Sequence, residues 1–383
     1  MTELPPRVLG ALVGDIARDP GAHTKYHLLF EALGRRVNLL GVYDASLRGP
    51  VRWFNALAVA HPDQRRWRER FYKNTGAFRG RSRQMATHLE SLRGQVDVIL
   101  QVGVLFNAHW SDDDPPNVIY TDYTAHLSAQ HPEGGRSPFT PAQRARWIEL
   151  ESRALQRAAH ICTRGELARA SLIADYGLPP ERVTAIGGGV NFPTLPALPA
   201  RDPNAPPTLL FLGKELYRKG GDLVLKAFAL ARAYLPEAQL LFVTGDPIPE
   251  GLPLDGVQVI PPTWDRAAIG ALYERADAFV LPSRLETWGD VLLEAMAYAL
   301  PCVGVARQTM EEIIEHERTG LLVPPEDCEA LAEALVRILS DLGQRLRWGQ
   351  AARQKVAAYY TWDRVADRLA SVLEEAAQLS VMR

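Results

Sequence analysis

Short apolar runs alternate with amphipathic stretches along nearly the whole chain. In the first half RVLGALVGDI (7–16), RVNLLGVYD (36–44), VDVILQVGVLF (96–106), NVIYTD (117–122), HICTRG (160–165) and VTAIGGGVN (183–191) read as strands. In the second half TLLFLG (208–213), QLLFVTGD (239–246), VQVI (257–260), DAFVLPS (277–283), PCVGV (301–305) and GLLVP (320–324) do the same. Between them lie helical patterns, among them YHLLFEAL (26–33) and GDLVLKAFALARAYL (221–235), and three helices close the chain at about 328–341, 343–358 and 361–378. Buried strands alternating with amphipathic helices imply parallel α/β sheets.

One stretch breaks the alternation. PTLPALPARDPNAPP (193–207) holds six prolines, which exclude a helix or a central strand, so it reads as an extended linker. The expected organisation is two Rossmann-like domains, 1–192 and 208–360, with a last helix, 361–383. Ligands of such sheets bind at the carboxyl ends of the strands, which makes a cleft between the domains the expected site.

Composition narrows the classes. The 383 residues are 47% hydrophobic and 23% charged with a net charge of −2, as in a globular protein with no general affinity for nucleic acid. No apolar run is long enough for a membrane helix. The N-terminus opens with an acid and prolines and has no basic segment, so no signal peptide is expected. Cys162, Cys302 and Cys328 are scattered and suit a reducing cytosol. A cytoplasmic protein is the expectation.

Candidate chemistry lies in the second half. GKELYRKGGD (213–222) puts Lys214 and Lys219 at the end of a strand among Gly213, Gly220 and Gly221. Glycines allow close backbone approach to an anion and ammonium groups neutralise it; an ordinary charged turn is the plainer reading. ETWGDVLLE (286–294) also follows a strand. Thr287 and Asp290 have capping-box spacing, so a helix is expected to begin near Trp288 with its N-terminus open to phosphate. Val291, Leu292, Ala295, Met296 and Ala299 form the expected buried stripe, with Glu294 on another face and Glu286 in the preceding loop. Two carboxylates would then flank an anion site, as sugar hydroxyls on either side of a diphosphate would require.

The frame of these motifs is specific. FLGKELYRKGGDLVLKAF, DAFVLPSRLETWGDVLLEAMAYALPCVGV and EHERTGLLVPPED, in that order, resemble family 4 retaining glycosyltransferases of the GT-B fold. DPGAHTKYHLLFEALGRRVNL looks like that family's N-terminal glycine loop and helix. The resemblance implies two Rossmann-like domains facing a central cleft, with the last helix returning to the first domain. It implies a nucleotide-diphosphate-sugar donor, itself a co-substrate so that no cofactor is needed, and a hydroxyl acceptor. Lys214 and Lys219 would contact the diphosphate, Lys214 without the fork of the family's usual arginine. Glu286 would contact the sugar near the reacting carbon, and Glu294 the ribose. The backbone of Thr287, Trp288 and Gly289 would line the sugar and phosphates, with Trp288, where phenylalanine is usual, tightening the pocket. Gly213 and Gly21 would let backbone approach the donor. Asp122 and His126 are candidates to face the donor sugar.

Two further stretches need a reading. SDDDPP (111–116) offers a D-x-D pattern, but lysines and a helix N-terminus already supply positive charge, so an acidic loop and no metal are expected. RRWRERFYKNTGAFRGRSR (65–83) is basic with interleaved aromatics. It is either a solvated face or a contact for a membrane surface or anionic acceptor, giving a peripheral place at the inner membrane face. Two rivals to a transferase remain at this point: a nucleotide-sugar epimerase of the same fold, and a non-catalytic sugar-nucleotide-binding protein.

Overall fold

The computed structural model describes residues 5–130, 139–198 and 205–381. The chain divides into two compact units, Met1–Gly187 with Trp362–Arg383, and Gly188–Thr361. Residues 199–204 of the proline-rich stretch lie outside the described residues.

The first unit holds six parallel strands: β1 (Arg7–Leu12), β2 (Asn38–Asp44), β3 (Val98–Val102), β4 (Asn117–Thr121), β5 (His160–Thr163) and β6 (Val183–Ala185), in the order β2-β1-β3-β4-β5-β6. The second holds β7 (Thr208–Leu212), β8 (Gln239–Val243), β9 (Val257–Ile260), β10 (Ala278–Leu281), β11 (Cys302–Val305) and β12 (Gly320–Val323), in the order β12-β11-β10-β7-β8-β9. Every run read as a strand in the sequence contains one of these strands. β3, β4, β7, β10 and β11 are buried on both faces or nearly so, which is why they appear as unbroken apolar runs rather than alternating ones.

The first-unit helices are α1 (Pro20–Gly34), α2 (Gly49–Ala58), α3 (Gln64–Tyr72), α4 (Thr75–Ser91), α5 (Ala125–Gln130), α6 (Pro141–Arg157) and α7 (Glu166–Ala174). The second unit carries α8 (Gly221–Arg232), α9 (Arg266–Arg275), α10 (Asp290–Ala297), α11 (Met310–Ile313), α12 (Cys328–Ser340) and α13 (Leu342–Tyr359). The last helix, α14 (Trp362–Val381), packs in the first unit. Its apolar stripe, Trp362, Val365, Ala366, Leu369 and Leu373, is buried in the core with Leu29 and Leu33 of α1. Asp363 and Asp367 on its flank pair with Arg35 and Arg36.

Sheet order fixes where a ligand belongs in the second unit. Chain order reverses between β7 and β10, so their connections leave to opposite sides and open a crevice at the carboxyl ends. GKELYRKGGD follows β7 and SRLETWGD follows β10; the two candidate motifs flank one switch point.

Candidate functional site

The turn after β7 is shaped by glycines. Gly220 caps α8 in the left-handed region, at φ 72°. A Cβ there would lie 2.2 Å from the carbonyl oxygen of Pro282, so the β7–α8 turn touches the segment after β10 backbone to backbone. Gly213 is closed in by Phe211 and by the Cβ of Lys219, its own bare Cα leaving room for the lysine stem.

That close approach brings Lys219 to Glu286. The Lys219 ammonium and the Glu286 carboxylate form an ion pair whose side chains are 13% and 6% exposed. Ser283 Oγ donates to Glu286 Oε2 at 3.3 Å, and the backbone N–H of Glu286 donates to Gln308 Oε1 at 2.9 Å. Gln308 holds a left-handed backbone, φ 57°. Positive φ at a residue other than glycine is a strained state that the surroundings must enforce, and here it presents the amide to the Glu286 loop. Neither Ser283 nor Gln308 figured in the sequence reading. Ser283 ends the DAFVLPS run and was visible; Gln308 comes from another strand end and has no local signal.

Lys214 is placed differently. It is exposed, and its ammonium lies 5.6 Å from the centroid of the Trp264 ring. Arg218, between the two lysines, donates to the carbonyl of Leu285 at 2.9 Å and pairs with Glu215, tying the turn to the residue before Glu286.

The helix after Glu286 differs from expectation in three ways. It begins at Asp290, with Gly289 as N-cap at φ 97° and no side-chain cap, so Thr287 and Asp290 form no capping box. Gly289 supplies by backbone conformation what the box would have supplied by side chain. Second, Trp288 is buried, its ring edge-on to Tyr360 at 5.7 Å, and its indole N–H has no hydrogen-bond partner. The side chain belongs to the core of the unit. Third, Glu294 does not lie on a face apart from the buried stripe. α10 is buried from Leu292 to Ala297, and Glu294 is 4% exposed.

A buried carboxylate requires partners. Arg266 Nη2 lies 2.9 Å from Glu294 Oε1, and the Tyr273 hydroxyl donates to Oε2 at 3.1 Å. Burial pushes the Glu294 carboxyl up against the opposing pull of Arg266, and burial raises the Tyr273 hydroxyl well above its ordinary range. Arg266 and Tyr273 sit seven residues apart on α9, two turns along one face; that spacing was the available signal. Each carboxylate oxygen accepts one bond from these partners. A carboxylate has about four acceptor positions, so capacity for two hydroxyls is left.

The remaining candidates lie in the first unit. Gly21 is in the first turn of α1, not in a loop, and its N–H donates to Asp19 Oδ1 at 2.8 Å. The glycine with the special backbone is Gly14 after β1, at φ 117°, whose N–H donates to Asp44 Oδ1 at 2.9 Å. Asp122 follows β4 and is half-buried. His126 on α5 stacks edge-on against Tyr176 at 4.9 Å. The Tyr176 hydroxyl donates to buried Glu151, whose carboxyl is pushed up to about 7 by desolvation. In the acidic loop Asp112 pairs with Arg157 at 2.6 Å and Asp114 accepts from the N–H groups of Trp110 and Ser111. Among the described residues no cluster of three or more His, Cys, Asp and Glu could hold a metal. Within 65–83, Phe78 and Arg81 are buried, so that stretch is partly core and not a uniformly solvated face.

Residues 200–355 match the family described as glycosyl transferases group 1. The chain is 31% identical over 229 residues to a D-inositol 3-phosphate glycosyltransferase of Thermobispora bispora, covering 54% of this chain and 53% of that protein. It is 28% identical over 337 residues to one of Salinispora arenicola, covering 79% and 72%. The match thus spans about half the length of the first of these relatives. Sucrose-phosphate synthase from Thermosynechococcus elongatus superposes with a TM-score of 0.68 at 21% identity, over 98% of this chain and all of that one. These likenesses support a transferase: the chain has the GT-B fold, and residues 200–355, within its second unit, match the glycosyl transferases group 1 model.

Proposed function

We propose that this chain is a retaining glycosyltransferase that moves a sugar from a nucleotide-diphosphate donor to a hydroxyl of an acceptor. The observation that carries the reading is the buried Lys219–Glu286 pair at the β7/β10 switch point, inside the segment that matches the family. Two opposite charges held at the carboxyl ends of two strands suit a substrate that is anionic at its diphosphate and becomes positive at the sugar carbon as the bond breaks. Lys219 stabilises the departing diphosphate, and Lys214 adds a second, exposed cation. Glu286 faces the sugar; Glu294 offers its two open acceptor positions to the ribose. Neutralisation by lysines and a helix start makes the reaction independent of a divalent metal. The family match and the relatives do not favour an epimerase or a non-catalytic binder.

A peripheral membrane contact is part of the proposal, with its place moved from 65–83 to α2. Trp53, Phe54 and Leu57 on α2 are 73%, 72% and 74% exposed, beside exposed Arg48 and Arg52. Exposed apolar side chains flanked by cations suit an anionic lipid surface.

The reading is tested by a thermal-shift screen of UDP-, GDP- and ADP-sugars, followed by product analysis with and without acceptor. One sugar nucleotide should stabilise the protein and be consumed with retained anomeric configuration. Conversion of the donor to an epimer without acceptor, or no interaction with any sugar nucleotide, would overturn it.

A further inference from the structure

Four residues other than glycine hold a positive φ among the described residues: Ala299, Gln308, Glu317 and Glu326. Three have an ordinary explanation. Ala299 closes α10, where a left-handed residue commonly ends a helix. Glu317 and Glu326 are exposed, and each pairs with an arginine. Gln308, at φ 57° just beyond β11, is half-buried, and its side chain bonds to the loop that carries Glu286.

The Gln308 amide is only half used. A backbone N–H can only donate, so the amide atom 2.9 Å from the Glu286 N–H is the oxygen, Oε1. That leaves Nε2, on the same carbon, with two donor hydrogens. Among the described residues Nε2 makes no hydrogen bond, and it is open to solvent rather than sealed in the core. Glu286 has the opposite character. Its carboxylate only accepts, and Oε2 already takes Lys219 and Ser283. A sugar hydroxyl both donates and accepts. Glu286 can meet its hydrogen, but its oxygen needs a donor, and Gln308 Nε2 is one.

We infer that Gln308 reads the transferred sugar: Oε1 holds the Glu286 loop, and Nε2 donates to one hydroxyl of the donor sugar. This role rests on the glycosyltransferase reading and names a specificity-determining group for it. Glycine would hold the same backbone with less strain, so the glutamine is accounted for by what its side chain does there.

The test uses the full chain, the sugar nucleotide it consumes, and a set of analogues of that donor, each lacking one sugar hydroxyl. Donor kinetics are compared for the wild type, Gln308→Gly and Gln308→Glu. Glycine adopts the left-handed backbone readily, so Gln308→Gly is compatible with the fold. Gln308→Glu keeps an oxygen for the Glu286 N–H and removes the donor hydrogens. On the parent donor both variants should lose about tenfold in kcat/KM, the worth of one hydrogen bond. On one deoxy donor the wild type should lose a similar factor and the variants nothing further, because the contact is already gone. Calorimetry of Gln308→Gly with free nucleoside diphosphate should show wild-type affinity, since the amide addresses the sugar. Penalties that multiply for every deoxy donor, a loss confined to Gln308→Gly, or lost diphosphate affinity would reduce Gln308 to a support for the loop and overturn the inference. An active wild type matched by Gln308→Gly would overturn it too, with the transferase reading left standing. A wild type that consumes no sugar nucleotide would overturn that reading, and the role of Gln308 with it.

Discussion

Arg266 Nη2 and Glu294 Oε1 lie 2.9 Å apart and join α9 to a helix that is buried from Leu292 to Ala297. On the proposed reading, this pair orients Glu294 before the donor ribose binds. Ribose does not change during transfer, so its contacts act about equally in ground and transition states. Glu294→Gln should therefore raise the donor KM by roughly tenfold to a hundredfold, the worth of one or two charge-assisted hydrogen bonds, with kcat little changed. Donor kinetics check this. A fall in kcat with KM unmoved would assign Glu294 to the reacting end.

Removing the cation should behave differently. Arg266→Met leaves a buried carboxylate facing only Tyr273. Loss of one partner of a buried pair costs about 3 kcal/mol or more, and urea unfolding should show a loss of that order. A neutral result would mean that Glu294 is protonated in the wild type.

Gly220 fixes the distance between the two halves of the second-unit site. Alanine there meets the Pro282 carbonyl and needs a left-handed backbone. Gly220→Ala should destabilise by about 2 kcal/mol or more and weaken nucleoside diphosphate binding, because the Lys219 turn must move away from the Glu286 loop. Gly251→Ala, at φ 88° with nothing near its Cβ, controls for backbone strain alone. Equal behaviour of the two variants would show that the Pro282 contact does not matter.

Glu151 sets a pH dependence in the first unit. Its carboxyl titrates near 7 when folded, against an ordinary value of 4.5, because burial disfavours the anion. The folded state then holds a proton that the unfolded state has released, and stability falls as pH rises from about 4.5 to about 7. Glu151→Gln keeps an acceptor for Tyr176 and the Ala125 N–H, and should flatten that limb of the curve. An unchanged slope between pH 5 and 7 would refute this.

Lysine neutralisation predicts that turnover survives EDTA. Complete loss restored by Mn²⁺ would return attention to the acidic loop at 111–114.

The twelve strands were legible because buried parallel strands are compact apolar runs set off by glycine, proline and polar turns. The switch-point motifs were legible for the same reason, since each directly follows such a run. What stayed hidden depends on contacts between distant segments. Thr287 and Asp290 have capping-box spacing, yet Gly289 takes the cap by adopting φ 97°, which the spacing alone does not reveal. Glu294 was expected on a face apart from the buried stripe because a carboxylate on a helix usually avoids the core; its burial is met by Arg266 and Tyr273, 28 and 21 residues earlier. Arg81 looked like one of many arginines in a basic stretch. Its burial is a property of packing between α3, α4 and the segment around Leu105.

The central claim is that the Lys219–Glu286 pair is the sugar–diphosphate end of the donor site. Glu286→Gln tests it most directly, because the amide keeps an acceptor for Lys219 while removing the charge. At saturating donor, kcat should fall by about a hundredfold or more, the usual cost of losing one group matched to transition-state charge. Calorimetry with the free nucleoside diphosphate should show an affinity close to that of the wild type. Loss of diphosphate binding with kcat retained would reverse the roles of Glu286 and Glu294. No change in either quantity would mean that the buried pair only staples the β7 turn to the β10 loop.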